Sequence, residues 1–131
     1  MAETVSVQQP PTEVREQAKA APVTRGCEQY RDIVNQYDWD VNVMLAVMKA
    51  ENRGCDPSLD NYSAGETHVN AAGQVVCVGS YGLLQVGCLH FSAGQDHTTP
   101  SANVAVAYQV WKKQGYTAWT MYRNGEYLNF L

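Results

Sequence analysis

The chain's 131 residues suffice for a single domain with a real core, and its 45% hydrophobic content lies in the globular range. Its formal net charge of -4 gives no broad basic footprint, which argues against a protein built to hold nucleic acid. No run approaches the length of a membrane span and the N-terminus lacks a secretory pattern, yet Cys27, Cys55, Cys77 and Cys88 form an even set suited to two disulfides in an oxidising compartment. The expected location is extracellular or in the cell envelope, for a trimmed form whose export signal is not in the chain as given.

Residues 1–24 carry Gln8-Gln9-Pro10-Pro11, Pro22 and scattered charges with few large apolar side chains, too little to offset the entropy of ordering. They read as a flexible tail or linker that spaces the rest, with good helix formers between Thr12 and Ala21 but little to pack them on. The folded domain is expected over 25–131. From Cys27 to Gln36 the spacing of Tyr30, Ile33, Val34 and Tyr37 predicts an amphipathic helix, and Asp40 is a good N-cap for a second one. That second helix shows Val41, Met44, Leu45 and Met48 on one apolar face and reaches Glu51, with Gly54 suited to a left-handed C-terminal cap. A short turn makes the two helices antiparallel, which places Cys27 beside Cys55.

Glu51 is the first candidate for chemistry. The helix C-terminus carries partial negative charge, and that charge together with apolar surroundings favours a carboxyl that keeps its proton near neutral pH. The bland alternative is an ordinary surface glutamate at a helix end.

Between Asp56 and Gly79 the periodicity is lost, and Gln74 to Val78 alone reads as a short strand, so a long loop or small hairpin is expected. Asp56, Asp60, Glu66 and His68 lie on it, and solvated loop side chains are their default reading. In Gly79-Ser80-Tyr81-Gly82-Leu83-Leu84-Gln85-Val86 the polar Gln85 follows two leucines directly. Its amide needs partners, either a sugar's hydroxyl or acetamido group or the loop's own backbone. Cys88 can reach back to Cys77 for the second disulfide, although four cysteines allow three pairings. A metal site of Cys77, Cys88, His90 and His97 competes but lacks paired ligand spacing, so no metal or cofactor is expected. Thr99-Pro100 then opens a helix whose stripe of Val104, Ala107, Tyr108 and Trp111 runs to Gly115. The segment from Tyr116 to Leu128 is crowded with aromatic rings, which suit either sugar faces or a packed C-terminal helix.

Three separated stretches resemble the soluble lytic transglycosylase domain and the goose-type lysozyme group of the lysozyme-like superfamily. They are Ala46 to Ser58 with Ala50-Glu51, Gly79 to Val86 with Gly82-Leu83-Leu84-Gln85, and Ala118 to Leu128 with Tyr122-Arg123-Asn124-Gly125, in the family's order. Asn52 stands where the family usually has serine. The resemblance implies a mainly α, α+β lysozyme-like fold and cleavage of the MurNAc-GlcNAc β-1,4 bond of peptidoglycan. Glu51 would be the catalytic acid, with Ser80, Tyr81, Gln85, Tyr122 and Asn124 at the glycan cleft, and the tail would serve as a link to a larger envelope assembly.

In a lytic transglycosylase one glutamate gives its proton to the bridging oxygen and then takes one from the sugar's C6 hydroxyl, leaving an anhydro end. A hydrolase normally needs a second carboxylate. Asp56, Asp60 and Glu66 are the candidates, and none stands at a position that compels the choice, so the non-hydrolytic route is preferred. The alternatives are a hydrolytic muramidase and a noncatalytic glycan-binding envelope module.

Overall fold

The computed structural model describes residues 26–62 and 66–131, and the tail expected over residues 1–24, with its helix formers between Thr12 and Ala21, lies outside them. Gly26–Tyr30 is a 3-10 turn followed by a single α turn, α1 (Arg31–Val34). The helix predicted over Cys27 to Gln36 therefore breaks. The Trp39 indole N–H donates to the Val34 carbonyl at 2.7 Å, occupying an acceptor that a longer helix would need.

Asp40 caps α2 (Val41–Glu51) as expected, its carboxylate accepting from the N–H groups of Asn42 at 2.9 Å and Val43 at 3.1 Å. The prediction gives α2 one buried face, but Met44, Leu45, Ala46, Val47 and Met48 are all buried. Successive helical residues lie about 100° apart, so five in a row enclose the helix on every side and make it the centre of the core. The left-handed stop expected at Gly54 falls instead at Cys55, whose φ is 45°. Asn52 closes that turn: its carbonyl accepts from the Cys55 N–H at 2.8 Å and its side-chain oxygen from the Asp56 N–H at 3.0 Å. Cys27 and Cys55 stand with Cα atoms 5.2 Å apart, inside the disulfide range, as the helix pairing predicts.

Among the described residues the segment with no clear period holds three short strands, β1 (Asp60–Asn61), β2 (Thr67–Val69) and β3 (Val75–Val78), and two more follow it, β4 (Ser80–Tyr81) and β5 (Val86–Gly87). Strands β1, β4 and β5 form an antiparallel sheet in that order, with Asp60 opposite Tyr81 and Ser80 opposite Gly87. Strands β2 and β3 form the small hairpin. Cys77 on β3 and Cys88 after β5 bring their Cα atoms to 6.0 Å, again a disulfide distance and the expected pairing. That pairing removes both thiols from the alternative metal-ligand set.

Helix α3 (Pro100–Gln114) begins at the predicted proline and buries Asn103, Val104, Val106, Ala107 and Val110. Tyr108 and Trp111 are only half-buried and join Tyr37 and Trp39 in an aromatic cluster. After a 3-10 turn at Tyr116–Ala118 come α4 (Thr120–Arg123) and a last 3-10 turn at Glu126–Phe130, which packs on α2. The described residues thus form a mixed α+β fold, and no helix among them is long and apolar enough to cross a membrane.

Candidate active site

A cleft of about 470 Å³ opens beside the end of α2, lined by Glu51, Glu66, Ser80, Gln85, His90 and Trp119 among others. Its floor depends on the turn at Gly82-Leu83-Leu84-Gln85. Leu83 and Leu84 are fully buried and anchor the turn in the core. Three polar side chains from distant parts of the chain hold its backbone. Asn52 donates to the Gly82 carbonyl at 3.1 Å, Asn103 accepts from the Leu84 N–H at 3.0 Å, and the Trp119 indole donates to the Leu84 carbonyl at 2.8 Å. Both asparagines are buried, so each of these bonds satisfies a group that would otherwise be costly to enclose. Gly82 has φ +74°, and a Cβ there would strike the Asn103 side chain and stand 2.7 Å from the His97 carbonyl, so only glycine fits.

Glu51 is the last residue of α2 and is half-buried, with Oε2 accepting from the Met121 N–H at 3.3 Å. Burial pushes its carboxyl up to about 7, from an ordinary value of 4.5. The Met121 N–H opposes this, the nearby negative charge of Glu66 reinforces it, and Arg123 opposes it. The outcome is a carboxyl that holds a substantial share of its protons at neutral pH while facing an open cleft, the condition a general acid needs.

The other predicted site residues divide. Ser80 is buried and lines the cleft, and its hydroxyl donates to the Glu66 carboxylate. Gln85 also lines the cleft, at φ 45°, but its amide nitrogen donates to the carbonyls of Leu59 and Gly82, both at 2.9 Å. The backbone of the turn is therefore among its partners, as the bland reading expected. Tyr81 points elsewhere, because neighbouring residues of a strand face opposite ways. Its ring stacks on His97 at 4.3 Å and its hydroxyl donates to the Val78 carbonyl at 2.8 Å. Tyr122 stands in the stack Tyr116–Tyr122–Tyr127, with ring centroids 5.3 and 4.7 Å apart, and is not among the residues lining the cleft at Glu51. Asn124 is exposed and accepts from the Glu126 N–H at 2.9 Å, which opens the last 3-10 turn. The geometry thus joins Glu51, Ser80 and Gln85 and leaves Tyr81, Tyr122 and Asn124 outside their cleft.

Of the loop acids, Asp56 is exposed and closes a turn by accepting from the Ser58 N–H at 2.9 Å and hydroxyl at 2.7 Å. Asp60 faces His97 at 3.4 Å and the Tyr62 hydroxyl at 3.1 Å. Glu66 alone of the three shares the cleft with Glu51. Trp119, Thr120 and His90 are cleft residues that the sequence did not single out for this role. The signals for Trp119 and Thr120 were their place in the aromatic C-terminal segment and in the stretch from Ala118 to Leu128 that carries the resemblance. Compared with known proteins, the chain matches no family model, and no curated protein and no solved structure is significantly similar to it.

Proposed function

We propose that this protein cleaves the MurNAc-GlcNAc β-1,4 bond of peptidoglycan on a lysozyme-like fold, with Glu51 as the general acid. The observation that carries the reading is the half-buried carboxyl at the end of α2, facing a cleft and pushed up to about 7. The resemblance adds weight, because residues from its three stretches, Glu51, Ser80 with Gln85, and Trp119 with Thr120, line one cleft. A cleft of about 470 Å³ has room for a sugar ring and water. Cysteine pairs at disulfide distance fit an oxidising setting such as the cell envelope or the extracellular space, where peptidoglycan lies.

The test is clearance of a purified peptidoglycan suspension by the full chain and by Glu51→Gln. The amide keeps the shape of the carboxyl but has no proton to give, so the variant should fold normally and lose about a hundred- to ten-thousand-fold in rate. A variant retaining more than about a tenth of the wild-type rate would refute the role. Binding to the glycan without any cleavage by wild type would make the protein a noncatalytic glycan-binding module.

A further inference from the structure

We propose that Glu66 is the second carboxylate of this reaction, acting as the base that takes a proton from the attacking water, so that cleavage is hydrolytic. The proposal rests on the reading of Glu51 above and deepens it. A transglycosylase needs one carboxyl, because the same group donates and then recovers a proton, whereas direct hydrolysis needs a second carboxylate to prepare the water or attack the sugar. The sequence offers three acids for that second place, and the structure separates them. Asp56 is spent on an exposed turn, Asp60 is turned toward His97 and Tyr62, and Glu66 opens into the cleft that Glu51 faces.

The surroundings of Glu66 suit a base. Among the described residues its carboxylate is paired with no cation and accepts from the Ser80 hydroxyl, a neutral donor that orients one oxygen without supplying a proton. Ser80 itself is buried and held on β4, whose pairing with Gly87 of β5 fixes it beside the cleft. Glu66 adjoins the hairpin strand β2 and its carbonyl accepts from the Gly79 N–H at 2.9 Å, so its backbone is tied to the residue that precedes β4. Two carboxyls on independently anchored elements therefore face one space that can hold a sugar and a water.

The step balances with water alone. Glu51 gives its proton to the bridging oxygen as the bond from that oxygen to C1 breaks. Water attacks C1 and gives one proton to Glu66, so one water is consumed and each sugar leaves with a hydroxyl. Glu51 ends as carboxylate and Glu66 as acid, and exchange with solvent restores both. Attack by water on the face opposite the leaving group inverts C1.

The experiment digests purified peptidoglycan with the full wild-type chain in ¹⁸O-labelled water and weighs the products. Reducing muramyl ends that carry the label at C1 are expected, and predominantly anhydro ends would overturn the role of Glu66 while leaving Glu51 as acid. Glu66→Gln should lose at least about a hundredfold in rate with its melting temperature little changed, whereas Asp56→Asn should keep the wild-type rate. Glu66→Ala should be rescued by azide, which attacks without needing a base and yields an α-glycosyl azide. Retention of more than about a tenth of the rate by Glu66→Gln, or no azide product from Glu66→Ala, would overturn the proposal. No cleavage by wild type would overturn the reading of Glu51 itself, and Glu66 with it.

Discussion

Two cavities of nearly equal volume, about 470 and 450 Å³, meet at β4, where Ser80 lines the first and Tyr81 the second. The second is walled by the Cys77–Cys88 pair and by Tyr81, Phe91 and His97, and its His97 partners the carboxylate of Asp60. The first holds a carboxyl whose proton is retained by burial and a second carboxylate held by a hydroxyl. Size does not distinguish the two. What distinguishes them is that the first cavity is lined by a proton donor and a second carboxylate, which is what acid catalysis requires.

The sharpest way to break that contrast is to disable each cavity in turn. Glu51→Gln should lower peptidoglycan cleavage by up to about ten-thousand-fold, while Phe91→Ala, in the second cavity, should leave the rate within about twofold in protein that remains folded. Equal losses from the two would mean that both cavities belong to one site.

A smaller effect is expected from the turn at Gly82, which carries Gln85 into the first cavity and lies against the backbone of His97 in the second. Gly82→Ala places a methyl group against Asn103 and the His97 carbonyl at a left-handed φ, and should cost about 3 to 4 kcal/mol in chemical denaturation. A cost below about 1 kcal/mol would show that the turn yields easily and does not fix the cleft.

Stability should also register the difference through pH. Between about pH 4.5 and 7 the folded state keeps a proton on Glu51 that the unfolded chain has released, so this contribution is full at low pH and is lost as pH rises toward 7. Glu51→Gln has no such proton to lose. Its stability relative to wild type should therefore rise by about 3 kcal/mol from acidic to mildly alkaline conditions, read from denaturation at each pH. A constant difference would mean that Glu51 titrates as an ordinary exposed glutamate.

Local signals were legible where they dictate local structure. Asp40 caps α2, Pro100 opens α3, and the two cysteine pairs stand at disulfide distance as the chain order of helix, loop and short strand suggested. The position of Glu51 at a helix end was also readable, and the direction of its proton affinity agrees with the expectation, but the cause is burial beside the cleft with the charge of Glu66 adding to it, which the helix alone does not supply. Features set by distant partners were not readable. Trp39 ends the first helix by taking the Val34 carbonyl, and Asn52, not Gly54, organises the turn after α2. Asn103 reaches the turn at Leu84 from α3, and Glu66 enters the cleft through the way β4 pairs between β1 and β5 and places Ser80. Tyr122 and Asn124 carry the family-like motif, yet stacking with Tyr116 and Tyr127 and the capping of Glu126 decide where they point.

The most direct test of Glu51 as a proton donor is the pH dependence of kcat/KM on soluble peptidoglycan fragments, which reports the essential groups of the free enzyme. The rate should fall about tenfold per pH unit above a midpoint near 7, as Glu51 loses the proton that cleavage requires. A falling limb centred near 4.5, or a rate that stays flat through pH 8, would contradict Glu51 as the acid.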